Sequence, residues 1–188
     1  MGNDSTLRVF CYHEKYWAIA VEYLVKARQA ASQRDALVKA GVTTFEEINA
    51  LLSYSDEIER LRLIAIVFAA LAAEAFINDY AIRQTSKSFF SKHLDRLDPV
   101  SKWIIVPRLV TGKQIDTGSR GADLYRQLVT LRNKLVHWKT VVKPDSEVTE
   151  ADRIGEDQAE LALSAVLEMA RELQSIDPNV DLEWLERL

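Results

Sequence analysis

The stretch "LRNKLVHWK" sets Arg132, Asn133 and His137 within six positions of one another. An imidazole titrates near neutrality and can take or give a proton. A guanidinium is a permanent cation that forks onto an oxyanion through two parallel hydrogen bonds. An amide can orient either group. These three residue types suit proton transfer beside an anionic reacting centre. The competing reading is structural: a histidine at a helix C-terminus is favoured by the helix dipole, and an arginine there can simply pair on the surface.

Projected at about 100° per residue, Leu124, Leu128, Leu131 and Leu135 make one stripe that should face a core. Arg126, Thr130, Asn133 and His137 make a second stripe on nearly the opposite side, with Asn133 and His137 direct neighbours one turn apart. Tyr125, Val129, Arg132 and Val136 lie between the two. Arg132 and His137 are five residues apart and diverge by roughly 140° on a regular helix. They border one cleft only if the arginine wraps across, or if the site draws on two helices meeting at an interface. Val129 and Val136 exceed what the core stripe needs and fit a neighbouring helix or a second copy of the chain.

The elements that must position this helix are also helical. A first helix is predicted over about Glu14 to Ala40, ending at Gly41, with Tyr16, Ala20, Tyr23, Ala27 and Ala30 inward. A connection with a short helix near Phe45 to Leu52 follows. The second main helix then starts after the cap candidates Ser55 and Asp56 and runs to about Arg83. From Leu63 to Ile77 it is apolar on nearly every side, so it should sit centrally. In "LDPVSKWIIVPRLVTG", Asp98 is a cap, Pro99 opens a short helix and Pro107 should break or kink it. "GKQIDTGSRG" reads as a mobile loop and lacks the order of a phosphate-binding P-loop. The third main helix spans about Asp123 to Trp138 and the fourth about Glu156 to Ser175, with Thr149 and Asp152 as a capped turn ahead of it. "DLEWLERL" adds one or two turns. The expected fold is all-α: one domain over residues 1–188, a four-helix up-down bundle with a partly helical insertion between helices two and three.

Composition agrees with one globular domain: 188 residues, 48% hydrophobic and 28% charged, with six glycines and four prolines. The single cysteine, Cys11, cannot close an intrachain disulfide and fits a reducing cytosol, so a cytoplasmic location is expected. With three histidines and no metal-ligand spacing, no metal or other cofactor is expected. No signal-peptide pattern opens the chain, and the match of "MGNDST" to a myristoylation pattern is too short to weigh. The run Leu63–Ile77 contains Glu74 and is short for a membrane span, so no membrane partner is expected.

Net charge is −4, but its distribution is uneven. Residues 83–143 hold 13 basic and 4 acidic side chains, a balance of +9, and the remainder carries −13. The basic segment could hold a polyanion, or it could pair with the acidic helices inside the fold.

"RNKLVH" resembles the signature of the HEPN superfamily (higher eukaryote and prokaryote nucleotide-binding domains): Arg, four to six residues, then His, often with a polar residue directly after the Arg. "AAEAFINDYA" is similar to the second helix of such proteins, and "DPVSKWIIVPRLVTG" to an insertion found in some. The resemblance covers residues 58–138, and the flanking helices by architecture alone. It implies a homodimeric, metal-independent endoribonuclease acting by 2′-hydroxyl attack, which leaves a 2′,3′-cyclic phosphate. His137 would transfer protons, Arg132 would clamp the phosphate and Asn133 would orient one or the other. Arg126, Lys134 and Lys139 are phosphate-contact candidates. The same resemblance brings RNA as partner and a toxin or phage-defence role with a possible antitoxin. Other members only bind RNA, a nucleotide or a protein, and a helical adaptor with a coincidental motif is a third reading.

Glu74 is a carboxylate on an apolar helix, with Asn78 one turn later. A buried charge needs a partner, and Arg132 is the expected one. His13 and His93 are expected on the surface.

Overall fold

The computed structural model describes residues 12–137 and 154–186. Every regular element among them is helical. They are α1 (Tyr12–Ala40), α2 (Phe45–Gln84), α3 (Lys87–Phe89) running into a π-turn at Phe90–Leu94, α4 (Pro99–Thr111), α5 (Arg120–Val136) and α6 (Glu156–Ile176), with a 3₁₀ turn at Glu183–Leu185. The expected all-α class holds, and α1 and α6 start and stop within two residues of expectation. The predicted cap of α6 at Thr149 and Asp152 lies outside the described residues.

α2 departs from expectation. It runs unbroken for 40 residues, with no new start at Ser55. Thr44 accepts a hydrogen bond from the Glu47 amide while the Glu47 carboxylate takes the Thr44 amide, a reciprocal box that satisfies two free donors at the true N-terminus. Ser55 sits mid-helix and donates back to the Leu51 carbonyl at 3.0 Å. By length and composition α2 would pass for a membrane span. In the fold its middle is covered: Ala65, Ala69, Ala72, Ala73 and Ala81 are buried, and their small side chains let neighbouring helices approach closely.

α4 also outlasts its proline. Asp98 caps it through the Ser101 amide and Pro99 opens it, as expected, but Pro107 lies inside the helix. The helix ends at Gly112, whose φ of 74° is open to glycine and strained for other residues. The loop that follows is pinned to the body. Ile115 is buried, and the Glu172 carboxylate of α6 takes both the Ser119 hydroxyl and the Gly121 amide at the start of α5. A Cβ on Gly121 would collide with that carboxylate.

One aromatic line joins the elements. Trp17 of α1 meets Trp184, Trp184 meets Phe76 of α2, Phe76 meets Trp103 of α4, and Trp103 meets Tyr125 of α5, with ring centroids 5.0 to 6.0 Å apart. Near the middle of α2, Arg62 donates to the Ile154 carbonyl and pairs with Glu156, while Arg28 of α1 pairs with Glu156 and Glu160. Near its C-terminus, α2 places the Tyr80 hydroxyl on Asp177 at 2.8 Å. α6 therefore starts level with Arg28 and Arg62 and ends level with Tyr80, parallel to α2.

His13 corrects a further expectation. It is only 5% exposed, wedged edge-on between Phe76 and Trp184. His93 is exposed, as expected. The inward face of α1 runs through His13, Trp17, Ala20, Leu24, Ala27, Ala30 and Ala31, while Tyr16 and Tyr23 lie at its edge.

Candidate functional site

α5 begins under the Ser119 cap and ends at His137, which closes the helix with its amide on the Asn133 carbonyl at 3.0 Å. Its buried residues are Gly121, Ala122, Tyr125 and Leu128, and Leu124, Val129, Leu131 and Leu135 pack partly against the core. The core face is thus centred nearer Tyr125 than the leucine stripe implied. Arg132 lies seven residues after Tyr125 and four after Leu128, on the line of that inward face, and is half-buried. Asn133, Lys134, Val136 and His137 are exposed.

Arg132 and His137 therefore leave α5 on different sides within one chain. The Arg132 guanidinium donates to Asn133 Oδ1 at 3.0 Å, which ties the first two residues of the motif together. The Asn133 amide oxygen is thus engaged with the cation and not with the imidazole. Arg126 points back along the helix: it donates to the Thr117 carbonyl at 3.0 Å and approaches Asp123 at 3.7 Å, bracing the preceding loop. Eleven residues separate it from His137, roughly 16 Å of helix, so the two cannot serve one anionic group. Lys139 lies outside the described residues.

Glu74 is placed beside this helix, but its ion pair is not the expected one. Its carboxylate takes Lys102 Nζ of α4 at 3.2 Å, and no ion pair joins it to Arg132. Lys102 is 3% exposed, with its ammonium also 5.8 Å over the Phe90 ring. A buried ammonium needs a counter-charge, and α4 brings it to the one carboxylate on the apolar stretch of α2. The signal for Lys102 was present in the sequence: it stands four residues before the buried Val106 and beside the buried Trp103, on the inward face of α4.

Tyr125 links the two charges. Burial, and next the Glu74 carboxylate, push its phenol well above the ordinary range, and the Arg132 guanidinium acts in the opposite direction. Glu74 and Arg132 thus act on the same phenol from separate positions. One turn past Glu74, the side-chain oxygen of Asn78 is buried without a hydrogen-bond partner. Comparison of the chain with protein-family models, curated proteins and solved structures finds no match.

Proposed function

We propose that the chain is a HEPN-type endoribonuclease that cleaves RNA without a metal. The observation that carries this reading is the placement of Arg132, Asn133 and His137 in the last turns of α5, with the imidazole exposed at the helix end and the guanidinium tied to Asn133. The pairings of α1, α2, α5 and α6 support the matching fold, a four-helix up-down bundle in which α3 and α4 form the insertion.

In this reaction the 2′-oxygen attacks the adjacent phosphorus and the bond to the 5′-oxygen breaks. The products are a 2′,3′-cyclic phosphate and a 5′-hydroxyl. One proton leaves the 2′-hydroxyl and one reaches the departing 5′-oxygen, and His137 is the group that moves them. Arg132 takes the charge that grows on the phosphate oxygens. Because these two side chains leave α5 on different sides, a complete site draws on two copies of the helix. Lys134 would hold a flanking phosphate, whereas Arg126 is turned to the Thr117 carbonyl and Asp123 instead. A toxin or phage-defence role, held in check by an antitoxin, belongs to the same proposal.

The test is incubation of the purified chain with end-labelled RNA in excess EDTA, beside Arg132→Ala and His137→Ala. Cleavage by the unaltered chain alone, with cyclic-phosphate ends, is expected. Folded protein that binds RNA and never cuts it would leave a non-catalytic binding bundle in its place.

A further inference from the structure

The short segment between α2 and α4 presents a surface that the reading of α5 does not use. Ser86 accepts a hydrogen bond from the Phe89 amide at 3.1 Å and so starts α3. The chain then opens into the π-turn, where the Asp95 amide donates to the Phe90 carbonyl at 2.9 Å. Such turns are rare and recur at functional sites. Phe90 and Leu94 are buried and hold the segment to the body. Phe89, Lys92, His93 and Arg96 are all exposed, at the spacing i, i+3, i+4 and i+7 that sets side chains on one helical face. The Phe89 ring lies against the His93 ring with centroids 4.8 Å apart, yet 39% of Phe89 stays in solvent.

The cations around this ring pair are uncommitted. Among the described residues no ion pair engages Lys87, Lys92 or Arg96, whereas Arg83 just before them is held by Asp79. Asp95 is the one carboxylate between Asp79 and Asp98, and Asp98 is taken by the Ser101 amide. Three kinds of anionic occupant could meet such cations. A membrane surface needs an apolar face, but Phe90 and Leu94 are turned inward and Phe89 alone is left outside. An acidic peptide has no use for the ring pair. A single-stranded nucleic acid uses both features, its phosphates on the cations and its bases on the aromatic faces.

We propose that Phe89 and His93 form a stacking platform for bases of single-stranded RNA, with Lys87, Lys92 and Arg96 on its phosphates. This rests on the reading of the chain as one that acts on RNA, and adds to it a second contact away from the reacting phosphate. The platform backs onto the cluster that reaches Arg132. The ring of Phe90, the residue after Phe89, lies 5.8 Å from Lys102 Nζ, and Lys102 pairs with Glu74. Glu74 and Arg132 in turn act on one phenol, that of Tyr125. Arg132 stands seven residues beyond Tyr125, roughly 10 Å along α5. A strand held at the platform can therefore run on toward the motif.

Fluorescence anisotropy tests it, with a labelled single-stranded RNA of about 20 nucleotides and the full chain carrying His137→Ala so that the strand stays uncut. Stacking of one base is worth roughly tenfold in affinity, so Phe89→Leu should weaken binding roughly tenfold while Phe89→Tyr keeps it. Phe89→Leu should leave binding of duplex RNA of the same length unchanged, since paired bases are not free to stack. Lys92→Gln with Arg96→Gln should flatten the salt dependence by about 1.4, the share of two phosphates on a single strand. All these side chains are exposed, so the variants keep the helical content that circular dichroism reports. RNA binding that Phe89→Leu does not weaken, a loss as large on Phe89→Tyr, or a salt slope unmoved by the paired glutamines overturns the inference and leaves the ribonuclease reading standing. A chain that binds no RNA overturns both. Phosphatidylserine vesicles that bind through these same residues while RNA binding ignores them would give the surface to a membrane and overturn the inference alone.

Discussion

Burial holds the His13 imidazole below its ordinary value of 6.5, against the upward pull of Asp79, Glu14 and Asp181, with Arg83 opposing them. The folded chain therefore binds fewer protons there than the unfolded chain. Its contribution is complete above about pH 6.5 and is lost as pH falls from 6.5 through the lowered folded value, by at most about 1.4 kcal/mol per pH unit. Urea melts between pH 7 and 5 should show that slope, and His13→Phe should remove most of it; an unchanged slope would place the effect elsewhere. The Glu74–Lys102 pair has its own signature. Glu74→Gln leaves a 3%-exposed ammonium without a counter-charge and should cost about 2–3 kcal/mol, the low end for a buried pair because Glu74 keeps some solvent contact. Replacing both partners, by Glu74→Leu with Lys102→Met, should cost much less. If Arg132→Ala destabilised the chain as strongly as Glu74→Gln, the pairing with Lys102 would not be the one that matters. At this scale the sequence was half legible. A lone carboxylate among alanines announces that it needs a partner, but the choice between two cations depends on how α4 docks, which no local pattern encodes. His13 was misplaced for a related reason: the Trp184 that covers it arrives from 171 residues away.

Helix ends are where the sequence and the fold compete most closely. Ser55 and Asp56 have the chemistry of a cap, yet the helix passes through them because the box of Thr44 and Glu47 already starts it eleven residues before Ser55. Pro107 likewise has the chemistry of a breaker. It is overridden because Trp103 and Val106 are buried on the same face and hold the helix in place. The caps at Asp98 and Ser119 have no competing signal nearby; the first was expected from sequence, and the second fixes where α5 begins. The outer part of the α1–α2 hairpin, residues 32–57, is an arm with no buried residue, and it offers a local readout of this competition. Thr44→Ala removes a cap worth about 1 kcal/mol, and the residues it holds in register are outside the core. Amide exchange over residues 45–57 should rise roughly fivefold, while residues 65–81 stay protected. Equal loosening of both segments would mean that arm and body unfold as one unit, contrary to the gap in burial between them.

Across the whole molecule, charge is sorted by position more than by amount. A net charge of −4 spread evenly would repel RNA, but the acidic residues of the arm and the basic residues of α4 and α5 sit on different parts of the fold, with α2, about 60 Å long, running between them. Part of the basic excess is already spent: Lys102 on Glu74, and Arg126 on Thr117 and Asp123. Arg132 and Lys134 are placed differently, the first tied to a neutral amide and the second exposed at the motif end of α5. If single-stranded RNA lies along α5, its affinity should fall with salt, with a slope of about −0.7 for each phosphate neutralised. Lys134→Ala should weaken binding evenly across RNA sequences and flatten that slope by about 0.7. Glu46→Gln, at the tip of the arm, should leave the slope where it was. Binding titrations on one RNA from 50 to 300 mM salt separate the cases. A slope that Lys134→Ala does not change would take RNA off this end of α5, and with it the ground for placing the reacting phosphate between Arg132 and His137.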